Sequence, residues 1–215
     1  MSIRWLHLSD FHIGQDRYEQ KHLCQEINRY VEKLNREHRA PDLIFVSGDI
    51  AYSGNQSEYD FFNEHFLIGL LDILGNDTLN RIFLVPGNHD VNQEAADDID
   101  TYTVLQKLPK FLEASPDGLK KRRHLLERFQ HFTASDPTNI GSADRHWINS
   151  DQGAFVQTVE IRGIKLGIVG INSAWLSQKG NDKERLNPGH SMLREGLERI
   201  ADTPIRIVLG HHPIK

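Results

Sequence analysis

Apolar residues in this chain fall into two patterns. Short, nearly continuous runs (Trp5–Leu8, Leu43–Val46, Ile82–Val85, Ile207–Leu209) alternate with longer stretches in which apolar positions recur every third or fourth residue. The runs are too short for helices and rich in Val, Ile, Leu and Phe, the mark of buried strands. Strands are therefore predicted over about 3–8, 42–46 and 81–85. Between them the spacing predicts a helix over about 17–38, with Leu23, Ile27, Tyr30, Val31 and Leu34 on its apolar face and Cys24 bordering that face. Pro41 ends it, and a second helix is predicted from Glu58 to Leu74. Strand–helix–strand–helix–strand order implies a largely parallel sheet with helices packed on it.

From about 91 to 150 the rhythm breaks. This segment is polar and punctuated by Pro109, Pro116 and Pro137, while Leu119, Leu125, Leu126, Phe129 and Phe132 supply one helical face. It reads as a helical insertion or cap within a single domain. Its charge run Lys120–Arg123 reads as a solvated helix face. Strands return over 154–160 and 164–171 around a tight Arg162–Gly163 turn, followed by a helix over 190–201 and a strand over 205–209.

The strand ends carry the candidate chemistry. Each run stops abruptly in polar residues: Ser9-Asp10-Phe11-His12, Ser47-Gly48-Asp49, Pro86-Gly87-Asn88-His89-Asp90 and Gly210-His211-His212. In open α/β sheets, side chains just past the carboxyl ends of strands gather in one crevice. Asp, His and Asn offer carboxylate, imidazole and amide oxygen without thiolate, a donor set suited to Mn, Fe, Zn or Mg. His7 lies inside a strand and reads as a core or hydrogen-bonded histidine, and His190, which precedes an amphipathic helix, reads as a terminal loop residue.

Taken in order, these blocks resemble the calcineurin-like metallophosphoesterase superfamily, whose signature runs Asp-x-His, Gly-Asp, Gly-Asn-His-Asp/Glu, a later strand-end His, then Gly-His-x-His. The first four stand in sequence from Asp10 to His211, and the fifth is absent. The resemblance implies an α/β fold in which a β-sandwich is flanked by helices, with a mostly parallel main sheet whose C-terminal part is missing. It also implies two divalent ions, Mn favoured. Asp49 would bridge them, with Asp10 and His12 on one ion and Asn88 and His211 on the other. A water or hydroxide between the ions would attack phosphorus in line. His89 would serve the leaving oxygen or the phosphoryl charge, with Asp90 orienting its ring. Asn55, Asn172 with Ser173, and His212 are the candidate substrate contacts. The missing block leaves each ion one imidazole short.

Bulk properties narrow the partners. A net charge of −5 supplies no global basic field for nucleic acid or an acidic membrane, although bound cations would reverse the local potential. The single Cys24 forms no internal disulfide and fits a reducing, cytoplasmic compartment. No apolar stretch approaches the ~20 residues of a membrane span. The expected substrate is a phosphodiester. The Pro86–Val91 and Gly48–Ala51 segments look like the cyclic-nucleotide phosphodiesterase branch, and Leu8–Gly14 resembles the nuclease branch, so a cyclic nucleotide and a nucleic acid both stand as substrates. A second reading is an N-terminal effector or sensor module that is inactive as this fragment. Ending at a strand tip, the chain is expected to continue into further sequence beyond Lys215, and an uncovered sheet would favour self-association.

Overall fold

The computed structural model describes residues 2–15, 19–92, 122–123, 125–134, 154–177, 186 and 189–213. Its first sheet is parallel throughout, with β1 (Trp5–Leu8), β2 (Leu43–Ser47) and β3 (Ile82–Val85) in that spatial order. Every residue of β2 and β3 is buried, as expected of strands covered on both faces. Edge strand β1 is half open, which leaves His7 exposed, with its Nε2 2.7 Å from Ser47 Oγ. Of the two roles predicted for His7, the structure realises the hydrogen-bonded one.

Helix α1 (Gln20–Arg36) and the helical stretch α2 (Gln56–Phe62) to α3 (Ile68–Leu74) pack against this sheet. The buried line of α1 runs through Cys24 and Val31, both fully inaccessible, whereas Leu23 and Tyr30 are 43% and 56% exposed. Val31 and Ile27 of the predicted face do point to the core, the bordering Cys24 joins them, and the predicted Leu23 and Tyr30 turn outward. Residues Asn63–Leu67 form a π-helical turn inside the second predicted helix. Asn28 of α1 donates to the carbonyl of Phe66 there, satisfying a group in the widened ladder.

The second sheet has the order β4 (Ala154–Ile161), β5 (Ile164–Ile171), β6 (Ile205–Leu209). β4 and β5 are antiparallel, joined by Arg162 and Gly163 at φ 54° and 81°. Positive φ at both central residues is the backbone of a two-residue hairpin turn. β5 and β6 are parallel, connected through α5 (His190–Arg199), so His190 is the first residue of the helix and not part of the loop before it.

Period-two alternation along β5 builds two cores. Leu166 and Ile168 enter the main cluster shared with the first sheet, while Val169 and Ile171 pack with Ile200, Leu193 and Leu197 at the helix. Phe83 of β3 stacks on Phe155 of β4 at 5.9 Å between ring centres, which joins the two sheets face to face. The result is the expected mixed α/β fold, a helix–sheet–sheet–helix stack with a parallel main sheet.

Part of the 91–150 segment is described. Leu125, Phe129 and Phe132 are buried along a short helical stretch that ends in α4 (Gln130–Ala134), and Phe132 meets Tyr59 of α2 edge to face. Arg128 is fully buried and donates to the carbonyls of Trp175 (2.9 Å) and Ser177, tying this stretch to the loop after β5. Arg122 is likewise fully buried, which corrects the solvated-face reading at that position; of the two described residues of the run, Arg123 faces outward. A run of like charges records composition, whereas burial depends on the direction of each side chain. Lys120, Lys121, Leu119 and the three prolines lie outside the described residues.

Candidate metal centre

Parallel register places the ends of β1, β2 and β3 side by side, with Leu8 opposite Val46 and Ser47 opposite Val85. The loops beyond stay paired. Asp10 N donates to Gly48 O, His12 N to Asp49 O and Ile13 N to Ile50 O, at 2.9–3.1 Å. Asp10, His12 and Asp49 all adopt left-handed backbone, with φ of 60°, 48° and 54°. For residues with a Cβ, this costs on the order of 1–3 kcal/mol each and persists where the surroundings demand it. All three are candidate ligands.

Their side chains converge on Asp49. Its Oδ2 lies 3.1 Å from His12 Nε2 and 3.4 Å from His211 Nε2, although His211 arrives from β6 in the other sheet. Its Oδ1 accepts the His89 N–H at 2.9 Å. Asp10 Oδ1 is 3.9 Å from His12 Nε2. Among the described residues, two sets of donor atoms fall within 4.8 Å of one another, His12–Asp49–His89 and Asp10–Asp49–His211, and they share Asp49. This grouping differs from the one implied by resemblance, which joined Asp10 to His12 and left His89 off the ions.

The surroundings fit divalent cations. His211 Nδ1 lies 2.7 Å from the Ser47 carbonyl and donates to it, so once the proton on Nε2 is lost the ring offers its lone pair there to a cation beside Asp49. A carbonyl that fixes the imidazole tautomer from behind is the usual support of a metal-ligating histidine. Gly87 makes room for the central carboxylate, since a Cβ there would lie 2.1 Å from Asp49 Oδ1.

The remaining predicted residues divide. Asn88 Oδ1 faces His212 Nε2 at 3.1 Å, and His212 in turn contacts Ser173. His89 Nδ1 donates to the Tyr52 carbonyl at 2.8 Å, and its ring stacks on Tyr52 and lies 4.6 Å from the His12 ring. The orienting group behind His89 is thus Tyr52, which corrects the role expected of Asp90. The Asp90 carboxylate points away into the core and accepts from Gly87 N (2.8 Å), Ala51 N (3.0 Å) and Tyr59 OH (3.0 Å), locking two ligand loops together. Asn172 is fully buried, and its Oδ1 caps a turn by accepting from Ala174 N, so it does not line an open pocket. Asn55 is the N-cap of α2, where its N–H donates to Glu58 Oε2.

Charge in the cleft follows from these contacts. Burial alone would raise the Asp49 carboxyl, but His211, the His89 N–H and His12 outweigh it and hold the pKa at about 2. Burial would lower His211, yet Asp49 and the Ser47 carbonyl raise it to about 9. Burial pushes Asp90 up to about 6, against its backbone donors and helped by the charge of Asp49. Without cations, a proton on His211 neutralises Asp49; a divalent ion would replace that proton.

Sequence reasoning missed Tyr52 and the Ser47 carbonyl. Tyr52 follows Asp49 closely enough to have raised the question, but a backbone carbonyl leaves no trace in residue identity.

Residues 3–215 match the family model of calcineurin-like phosphoesterases. An uncharacterized metallophosphoesterase-like protein of Bacillus subtilis (strain 168), YydB, is 22% identical over 229 residues, which cover 100% of this chain and 43% of that protein. A probable glycerophosphodiester phosphodiesterase of Arcobacter nitrofigilis is 28% identical over 98 residues, 44% of this chain and 33% of its own length. The chain spans less than half the length of these relatives. No helix among the described residues is long and apolar enough to cross a membrane. With four signature blocks folded onto one cleft and the family model matched from residue 3 to residue 215, the chain belongs to the calcineurin-like phosphoesterase family.

Proposed function

We propose that this cleft is a two-metal hydrolytic centre acting on phosphodiesters. The observation that carries the reading is Asp49 Oδ2, within 3.4 Å of two imidazole nitrogens delivered by different sheets. A carboxylate reached from both sides is what a pair of ions sharing one ligand requires. Asp10, His12, Asp49, Asn88 and His211 would hold the ions. When bound, such a pair supplies Lewis acidity and lowers the pKa of water toward neutrality, so that no side-chain nucleophile is needed. Mn fits this oxygen and imidazole set, as do Fe, Zn and Mg.

The chain's own residues do the rest. With Nδ1 committed to Tyr52, His89 offers Nε2 to the phosphoryl group or the leaving oxygen. Asp90 holds the loops bearing Asp49 and His89 at a fixed separation through its buried hydrogen bonds to Ala51 and Gly87. The partial likeness to a probable glycerophosphodiester phosphodiesterase favours a diester over a monoester. A nuclease remains the second reading on the likeness of Leu8–Gly14, and it carries its own signature, a steep loss of binding with salt.

The test is hydrolysis of bis-(p-nitrophenyl) phosphate against p-nitrophenyl phosphate with Mn²⁺ present. Diester turnover above monoester turnover is expected; no turnover of either would falsify the reading. Adding cyclic nucleotides and single-stranded DNA, over a salt series, separates the two substrate classes.

A further inference from the structure

We propose that Ser173 and His212 are positioning residues that together dictate which end of the Asn88 amide faces the candidate metal centre. The proposal rests on the two-metal reading and assigns it a relay from outside the ligand set.

The relay follows from counting donors and acceptors. Ser173 Oγ accepts the backbone N–H of His212 at 3.0 Å, and the same oxygen lies 2.9 Å from His212 Nδ1. A serine hydroxyl has one proton and two lone pairs. With one lone pair taken by the backbone N–H, and with Nε2 facing an amide oxygen that can only accept, the hydroxyl proton is directed to Nδ1. That nitrogen then accepts, so the neutral ring carries its proton on Nε2. Nε2–H points at Asn88 Oδ1, 3.1 Å away. An amide rotated by half a turn would set its NH₂ against another N–H, donor against donor. In this arrangement the ring holds oxygen at that end of Asn88, and the second lone pair of Oδ1 stays available to a cation.

Three segments meet here: the end of β5, the loop after β3 and the end of β6. Ser173 is buried, and Arg128 fastens the turn just beyond it through the Trp175 and Ser177 carbonyls. The hydroxyl is thus held in place by the core and not by solvent. His212, predicted as a substrate contact, acts here through Asn88.

Two measurements test the relay. Nitrogen-15 NMR of the imidazoles in metal-free protein, in alkaline buffer where the rings are neutral, reads the tautomer directly. His212 is expected to be protonated on Nε2 in the wild type and to lose that preference in Ser173→Ala. Titration with Mn²⁺ alone is expected to show ~10–100-fold weaker binding in Ser173→Ala and in His212→Ala, the usual effect of removing a group behind a ligand. Ser173→Thr, which keeps the hydroxyl, should restore both the tautomer and the affinity. The double variant should bind no more weakly than His212→Ala, because both residues act along one path.

A His212 protonated on Nδ1 in the wild type overturns the proposal. So does unchanged Mn²⁺ affinity in both alanine variants, with the wild type binding normally. A wild type that binds no Mn²⁺ at all defeats the hydrolase reading itself, a result distinct from the other two.

Discussion

His211 and Asp49 sit 3.4 Å apart at the tips of strands from opposite sheets, Nε2 against Oδ2, with the Ser47 carbonyl behind the imidazole at 2.7 Å from Nδ1. This pair is the hinge between fold and chemistry. It forms only when the two sheets are stacked, and it is the point where a proton and a cation compete.

That competition sets a pH dependence. In the metal-free protein, His211 is raised from 6.5 to about 9, so the folded state holds this proton more tightly than the unfolded chain. The pair's stabilisation is complete below about 6.5 and is lost as pH rises through about 9, an amount on the order of 3 kcal/mol. Thermal unfolding of metal-free protein should therefore show a Tm falling across that window, and His211→Ala should flatten the slope. Near neutral pH, Mn²⁺ binding should release about one proton from this site, read by calorimetry in buffers of different ionisation enthalpy. Binding without proton release would show that His211 is not displaced.

Asp49→Ala and Asp10→Ala should differ in severity. Asp49 is shared by both donor sets, whereas Asp10 belongs to one and its side chain is 57% exposed. Mn²⁺ titration should find no measurable binding in Asp49→Ala and a weakened single class of sites in Asp10→Ala. Equal losses would mean that Asp49 is not the common ligand.

His89→Ala should separate binding from turnover. The ring is held by Tyr52 through Nδ1 and leaves Nε2 for substrate. Loss of ~10²–10⁴-fold in kcat, the usual range for a positioned acid or base, is expected with Mn²⁺ affinity largely retained. Since His89 also lies in a donor set with His12 and Asp49, an equal collapse of metal binding would reassign it as a ligand.

Gly87→Ala adds one methyl group where no space exists. Its Cβ would come within 2.1 Å of Asp49 Oδ1 and 2.7 Å of Asp49 N. The carboxylate or the loop must move, so a loss of about 1–3 kcal/mol in stability is expected together with weakened Mn²⁺ binding. Denaturant unfolding and metal titration report the two effects. A variant with wild-type behaviour in both would mean that the loop yields freely.

Cys24 should be chemically silent in the native protein. Burial raises its thiol to about 11, and it is fully inaccessible on the inner face of α1. Because the thiolate is the reactive species, a disulfide reagent should modify it only as fast as the protein opens. Rapid labelling without denaturant would show that α1 detaches from the sheet.

The amino-acid order alone carried the strands, the two main helices and the hairpin turn, because hydrophobic period and turn chemistry are local properties. It also carried the residue types at the strand ends, because a parallel sheet sends such residues to one edge whatever the details. Direction and partnership lay beyond it. Cys24 joins Val31 on the inner face of α1 while Leu23 and Tyr30 face out; Arg122 is buried within a charged run; Asp90 braces two loops while the Tyr52 carbonyl turns His89. Each of these depends on which atoms lie across a gap between segments distant in sequence, often on a backbone carbonyl that every residue possesses. Only packing the two sheets together brings His211 to Asp49 and His212 to Asn88, and so determines which donor meets which acceptor.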